Sequence, residues 1–226
     1  WQMLGYHALF MAVTALVVAR GAARGIEAAV KLLMPLLAAL MLVLAAYGAI
    51  EGDLAATLRF LLTLDPRQLT VRTALEALGL GFFSIGVGVG LMITYGAYGG
   101  TEVDLKQVAI VSIVADTAIS LMAGLAVFPV VFAHGLDPAG GPGLVFITLP
   151  LAFAQMPLGV AAAVAFYVLL FVAALASAIS LLEPLVTLLV RRHRSHWHAA
   201  GAGACFALGI ATVLSFNRWA DWHPLG

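Results

Sequence analysis

Two features inside the apolar stretches of this chain could do chemistry, and the first is a run of glycines. The run reads Phe82-Phe83-Ser84-Ile85-Gly86-Val87-Gly88-Val89-Gly90. Each glycine weakens a helix interior by about 1 kcal/mol relative to Ala, and an interrupted helix at membrane depth presents backbone groups to solutes and ions. The other interpretation is close helix packing, because Gly86 and Gly90 form a small-xxx-small pair.

The second feature is Asp116, which stands alone in the apolar segment Val114-Ala115-Asp116-Thr117, with no charge nearer than Lys106 or Asp137. A lone carboxylate at that depth costs several kcal/mol unless it is paired or lines a wet cavity. It indicates either a partner for a buried cation elsewhere or a site for a cation or a proton. Together with a serine hydroxyl it supplies hard oxygen ligands, which suit Na⁺ rather than a soft metal.

Three weaker candidates follow along the chain. Ser177 lies in a run of small residues and either offers an oxygen to an ion or bonds back to its own helix. Glu183, before Pro184, is interpreted as a structural carboxylate at the level of the membrane interface. A histidine triplet lies among arginines and is interpreted as a wet basic loop rather than a metal site: His193, His196 and His198.

The composition of the chain indicates what kind of structure positions these residues. The chain has 226 residues, of which 63% are apolar and 10% charged, and its mean hydropathy is +1.08. Soluble domains are about 45–50% apolar and about 25% charged, so the chain is predicted to be a membrane protein. It is not expected to be an enzyme, because no nucleophile–base pair or metal-ligand cluster lies within its apolar spans. Eleven basic residues balance eleven acidic ones, which leaves no basic field for nucleic acid. The single cysteine, Cys205, cannot form an intrachain disulfide.

The apolar runs predict an all-α, polytopic transmembrane helical bundle, because they do not alternate as barrel strands do. Residues 1–226 are predicted to form a single membrane domain, with Pro35 as a kink in the second span. The six predicted spans are about 4–18, 27–50, 73–98, 107–132, 158–190 and 199–216.

Connections and charges predict the orientation. The connection 133–157 mixes glycine and proline with apolar residues, so it is expected to pack back onto the protein. Basic clusters at Arg20 and Arg24 and again at 191–194 place those turns in the cytoplasm. Both termini and the packed loop 133–157 are then extracellular, and we expect the chain to be a piece of a longer protein.

Several stretches in combination resemble the neurotransmitter:sodium symporter family of the LeuT type. The resemblance covers essentially the whole chain and implies helices four to nine of a partial LeuT-type inverted-repeat fold, with the other helices of the parent chain missing. The stretches that carry it are Arg20-Gly21-Ala22-Ala23-Arg24-Gly25-Ile26-Glu27 with Met34-Pro35, Phe82–Ser84 through Gly88-Val89-Gly90 to Ile93-Thr94-Tyr95, Gly141-Pro142-Gly143-Leu144-Val145-Phe146-Ile147-Thr148-Leu149-Pro150, and Ala173 to Glu183.

The resemblance also implies ligand sites. Ser84 and Asp116 match the first sodium site. The second sodium site is matched by Ala173, Ala176 and Ser177, but Ala176 stands where the family usually has Thr, so one ligand oxygen is lost. The residues that match the substrate site are Phe83, Gly86, Gly88, Val89, Gly90 and Ser177.

The implied function is sodium-coupled symport of an amino acid or a related small amine-carboxylate by alternating access, with Na⁺ as the bound ion, in the lipid bilayer of the cell membrane. The alternative is a non-transporting membrane scaffold or an inactive truncated transporter. A channel is disfavoured because the chain has too few polar residues to form repeated rings. Chloride dependence is not expected, since Leu80 replaces a Gln of the family's anion site and Asp116 would repel an anion.

Overall fold

The structure is a computed structural model, and it describes residues 2–63, 66–87, 90–100, 102–139, 141–192 and 203–210. The prediction of an all-α fold is confirmed, since these residues contain helices and no strand. Residues 203–210 are also helical. The other α-helices are α1 Gln2–Ala19, α2 Glu27–Glu51, α3 Leu54–Leu62, α4 Val71–Ile85, α5 Leu91–Tyr98, α6 Leu105–Ala133, α7 Gly141–Gly143, α8 Leu149–Phe153 and α9 Gly159–Arg192.

Within the described ranges, four helical segments are long and apolar enough to cross a membrane. They match four of the predicted spans, and they establish a polytopic helical chain. The third predicted span is divided between α4 and α5, and the part of the sixth outside 203–210 lies outside the described residues. The four segments are Gln2–Ala19, Arg24–Glu51, Leu105–Ala133 and Gly159–Thr187.

The short turn expected at residues 20–24 is largely a π-helical segment, Ala22–Ile26, that leads directly into α2. Gly21 has φ +79°, a left-handed conformation that glycine adopts without strain. A Cβ on Gly25 would lie 2.0 Å from the carbonyl oxygen of Val17. The two glycines therefore allow the chain to turn tightly against the end of α1.

The connection after α2 contains a helix, α3, that the sequence analysis did not predict. Asp53 caps it, because the Ala56 amide donates to its Oδ1 at 2.8 Å. Phe60 packs edge-on against Phe128 and Phe132 of α6, with ring centroids 5.0 and 5.4 Å apart. The apolar face of α3 against α6, rather than the charges between residues 51 and 72, decides the structure of this segment.

Contacts divide the chain into two compact units. Unit 1 comprises Trp1–Leu32, Val87–Tyr98 and Ala174–Gly226, and unit 2 comprises Leu33–Gly86 and Gly99–Ala173. The single membrane domain over 1–226 stays a prediction.

In unit 2, the chain at the C-terminal end of α2 comes close to the C-terminal half of α6. Gly48 and Gly52 form the contact, and a Cβ at Gly52 would lie 2.6 Å from the backbone C and O of Pro129. The Asp53 amide donates to the Pro129 carbonyl at 2.9 Å. Small residues four apart let two helix backbones approach closely. Gly48 and Gly52 therefore have the close-packing role that was one of the two interpretations of Gly86 and Gly90.

The connection 133–157 contributes buried residues to the core of unit 2. It contains a π-helical segment, Leu144–Thr148, and then α8, whose Leu149 is fully buried. The Tyr47 hydroxyl donates to the Pro157 carbonyl at 2.8 Å, and the Tyr167 hydroxyl donates to Val145 at 3.2 Å. Apolar burial and two tyrosines therefore fix this connection; its extracellular location stays a prediction.

Unit 1 has a smaller core on α1 and the C-terminal half of α9. Val18 and Ile179 are each 1% exposed. Thr14 is also buried and satisfies its hydroxyl by donating to the Phe10 carbonyl at 2.9 Å. Thr14 is therefore satisfied within its own helix, whereas Glu183 bonds to another helix, as described below.

Candidate functional site

The glycine run ends a helix. α4 stops at Ile85 because Gly86 takes a left-handed conformation, φ +74° and ψ +28°, and its amide donates to the Phe83 carbonyl at 3.1 Å. Glycine is the residue that accepts this conformation at a helix C-terminus. α5 begins at Leu91, after Gly90 with φ +77°. The predicted third span is thus an interrupted helix.

Among the described residues, no neighbour packs closely against Gly90. A Cβ there would meet no atom within 4 Å, whereas its positive φ is a conformation that other residues rarely adopt. Of the two interpretations of the glycine run, an interruption of the helix accounts for the positive φ of Gly86 and Gly90, and no described residue lies close enough to Gly90 to support the close-packing interpretation there.

Ser84 and Asp116 meet in unit 2. The Ser84 hydroxyl donates to Asp116 Oδ1 at 2.6 Å. Ser84 lies in the last turn of α4, two residues before Gly86, and Asp116 lies eleven residues after the start of α6, about 17 Å along its axis. The distance is that of a strong hydrogen bond from a hydroxyl to a charged carboxylate.

The surroundings of this pair are apolar. Both Ser84 and Asp116 are exposed on unit 2, and their neighbours Phe83 and Val114 are 80% and 62% exposed. The Asp116 carboxylate has acceptor sites that the Ser84 hydroxyl does not use. The Ser84 oxygen can also still act as a ligand, because donating a hydrogen bond leaves its lone pairs available. The pair therefore offers two adjacent hard oxygens, on an otherwise apolar surface, to a small cation.

The residues predicted to contact substrate are spread over both units. Phe83 and the buried Gly86 belong to unit 2, while Gly90 and Ser177 belong to unit 1. The Gly90 carbonyl accepts from both the amide and the hydroxyl of Thr94, each at 3.1 Å. Gly88 and Val89 lie outside the described residues.

The residues of the predicted second sodium site lie along α9. Ala176 is buried and provides only a methyl group, and Ser177 is exposed. Ser177 makes no hydrogen bond to any residue in the described ranges, so its hydroxyl does not bond back to α9. Among the three residues predicted for this site, only Ser177 has a side-chain oxygen, and the site stays a prediction.

A polar cluster that the sequence analysis did not predict lies in unit 1. Glu183 is 5% exposed, and its Oε1 accepts from the Tyr98 hydroxyl at 2.5 Å and from Thr187 at 3.3 Å. Glu183 and Thr187 are four residues apart on α9, and Tyr95 and Tyr98 are three apart on α5, so each pair shares a helix face. That spacing was the signal available in the sequence.

The described part of the chain contains no group of three or more His, Cys, Asp or Glu residues placed to hold a metal ion. The histidine triplet at 193, 196 and 198 lies outside the described residues. Cys205 is a partly buried free thiol.

Comparison with known proteins identifies the family. Residues 1–216 match the model of the sodium:neurotransmitter symporter family, and the chain belongs to that family. It is a multi-pass membrane protein of a family of transporters, not of enzymes.

The relatives are sodium-dependent transporters. An uncharacterized sodium-dependent transporter of Bacillus subtilis, YhdH, is 35% identical over 100% of this chain and 51% of its own length. One from Haemophilus influenzae is 32% identical over 98% of this chain and 49% of its own. The sodium-dependent nutrient amino acid transporter 1 of Drosophila mojavensis is 28% identical over 94% of this chain and 35% of its own. The chain thus spans about half the length of the first two.

Proposed function

We propose that this chain is part of a sodium-coupled symporter that carries an amino acid or a related small amine-carboxylate by alternating access, and that it works within a longer polypeptide. The observation that carries the proposal is the 2.6 Å hydrogen bond from Ser84 to Asp116 beside the interrupted helix. Membership of a sodium-dependent transporter family supports it.

Na⁺ is the ion that this pair fits best. Carboxylate and hydroxyl oxygens are hard ligands, and a carboxylate on an apolar surface gains from a cation that offsets its charge. The last carbonyls of a helix have no intrahelical N–H partner. Because α4 ends at Ile85, one residue after Ser84, backbone oxygens at its end lie near the pair and could complete the ligand set.

A second sodium site on α9 would be weaker. The proposed ligands are Ala173 through its carbonyl, Ser177 through its hydroxyl, and the backbone near Ala176, which lacks the hydroxyl found in the family. Ala176→Thr would add one oxygen, and we expect it to strengthen sodium activation of uptake several-fold.

The proposed substrate is a small molecule with an amine and a carboxylate. Sodium would supply the driving force and offset the substrate's negative charge. We propose that the substrate contacts lie at Phe83, Gly86, Gly88, Val89, Gly90 and Ser177, with the glycines leaving room for a side chain. The name of the Drosophila relative, a nutrient amino acid transporter, supports this substrate class.

The test is sodium-dependent uptake of radiolabelled amino acids by the intact transporter in proteoliposomes. Asp116→Ala removes the charged ligand and is expected to raise the sodium concentration for half-maximal uptake at least tenfold. Asp137→Ala is the matched control, because Asp137 is an exposed loop carboxylate whose Oδ1 accepts from the Ala139 amide. Unchanged sodium activation in Asp116→Ala would remove this residue from the site.

A second experiment tests whether the chain works alone. The 226 residues, reconstituted without further sequence, are expected to show no uptake driven by a sodium gradient, since the bacterial relatives are about twice as long. Gradient-driven uptake by this piece would contradict the proposal that it works within a longer polypeptide.

A further inference from the structure

The short helix α3 has two faces with different surroundings. Its inner face packs on α6, because Thr57 is fully buried and a Cβ added to Gly124 would lie 3.2 Å from Leu61 Cδ1. Its outer face carries Leu58 and Leu62, which are 40% and 66% exposed. These two leucines are four residues apart, so they lie on the same side of the helix. The outer face is therefore an apolar surface that the described residues leave open.

Contacts with α6 fix the level of α3 along that span. The Asp53 amide donates to the Pro129 carbonyl at 2.9 Å, and the Phe60 ring packs against the rings of Phe128 and Phe132. These partners and the glycine at position 124 all lie within the last ten residues of α6, or about 15 Å. The helix α3 therefore lies beside one end of a membrane span.

The length of α6 places this end at the boundary between acyl chains and headgroups. Its 29 residues are about 44 Å long, whereas the hydrocarbon core of a bilayer is about 30 Å thick. With the core centred on α6, about 7 Å of the helix extends beyond the hydrocarbon on each side. Short amphipathic helices bind membranes at this level, with their apolar side chains among the acyl chains.

Arg59 adds a positive charge to the outer face of α3. It is exposed, follows Leu58 directly and precedes Leu62 by three residues. A guanidinium group binds phosphate oxygens through two parallel N–H bonds, while its aliphatic stem packs on apolar groups. A phospholipid offers both chemistries, because its acyl chains suit the leucines and its phosphate suits the arginine. A protein segment laid over this face would instead have to bury the charge.

We propose that the outer face of α3 is a binding surface for an anionic phospholipid, whose phosphate binds Arg59 and whose acyl chains contact Leu58 and Leu62. The bound lipid would hold α3 against the end of α6 at the membrane boundary. The surface does not include Ser84 or Asp116, so it is independent of the sodium site proposed above.

The test uses the intact transporter with Leu62→Cys as its only cysteine, which requires Cys205→Ala, labelled with bimane in phosphatidylcholine vesicles. Brominated acyl chains quench a fluorophore that they contact, and iodide quenches one that faces water. We expect brominated phosphatidylcholine to quench and iodide to have little effect. Brominated phosphatidylglycerol should bind beside position 62 about fivefold better than phosphatidylcholine, the effect of one arginine near an anionic headgroup. Quenching by iodide alone, quenching by neither reagent or equal binding of the two lipids would overturn the proposal.

Three variants of the labelled protein test the arginine. Arg59→Gln should abolish the preference for phosphatidylglycerol and keep the quenching by acyl chains, whereas Arg59→Lys keeps the charge and most of the preference. Retention in Arg59→Lys shows that the loss in Arg59→Gln is not caused by misfolding. Arg72→Gln is the matched control, because Arg72 is an exposed arginine paired with Glu76 on α4, and the preference should be unchanged. A preference that persists in Arg59→Gln, or that inorganic phosphate in the water abolishes, would contradict a lipid at Arg59.

Discussion

The two carboxylates on long apolar helices, Asp116 in unit 2 and Glu183 in unit 1, have opposite surroundings. Glu183 is 5% exposed and accepts from two hydroxyls of its own unit. Asp116 is exposed, and its one hydrogen-bond donor among the described residues is Ser84. The hydrogen-bond acceptors of Glu183 are therefore used within its own unit, whereas Asp116 has acceptor sites left for a bound ion or another partner.

The contrast separates a structural effect from a binding effect. Removing a buried acceptor leaves its donors unsatisfied and lowers stability. Removing an exposed carboxylate from an apolar surface lowers the affinity for whatever it binds and leaves the fold intact. The same chemical change, a carboxylate replaced by alanine, should thus give different losses at the two positions.

The largest effect on stability is expected for Glu183→Ala. It leaves the Tyr98 and Thr187 hydroxyls without their acceptor, and we expect the free energy of unfolding to fall by about 2 kcal/mol. Asp116→Ala should change it by less than about 0.5 kcal/mol, as exposed substitutions usually do. Denaturant unfolding of both variants in the same detergent measures the difference. Equal losses would remove the distinction between the two carboxylates.

The next effect concerns sodium. Ser84→Ala removes a hydroxyl ligand and the donor to Asp116, and we expect the sodium concentration for half-maximal uptake to rise about tenfold, equivalent to about 1.4 kcal/mol. Ser84→Thr keeps the hydroxyl and serves as the control, with sodium activation close to the wild type. If Ser84→Ala and Ser84→Thr behave alike, the hydroxyl is not a ligand.

The sequence could predict what depends on local composition. Long apolar runs predicted the helices, and the glycine run at 86–90 indicated an interruption as one of two interpretations, because glycine content and helix strength are local properties. The pair of Ser84 and Asp116 was predicted from chemistry and family resemblance. Their 2.6 Å contact depends on how α4 and α6 pack, which no local pattern determines.

Two further features could not be predicted, because they too depend on contacts between helices that are distant in the sequence. One is α3, which is stabilised by the packing of Phe60 against Phe128 and Phe132 of α6, about 70 residues further along the chain. Glu183 was interpreted as an interface-level carboxylate because its position near Pro184 suggested the end of a span. Its burial depends on α5, whose Tyr98 is 85 residues away in sequence.

A smaller effect tests the interruption beside Ser84. Gly86→Ala places a Cβ on a residue with φ +74°, and we expect a loss of about 1–2 kcal/mol in the free energy of unfolding. Gly81→Ala provides the matched control with the opposite sign. Gly81 lies inside α4 with no atom within 4 Å of an added Cβ, so alanine should stabilise the helix by about 0.5–1 kcal/mol. Two changes of the same sign would contradict a helix end at Gly86.

The smallest effect comes from an exposed ion pair on the same helix as Ser84. Arg72 Nε lies 2.8 Å from Glu76 Oε1, and the two side chains are 88% and 63% exposed. Pairs of this kind contribute about 0.2–0.5 kcal/mol and are screened by salt. Glu76→Gln should therefore lower stability by a few tenths of a kcal/mol at low salt and by nothing measurable at high salt, with sodium activation of uptake unchanged. A change in sodium activation would mean that charge anywhere on α4 affects the ion, and the special role of the Ser84–Asp116 pair would then be lost.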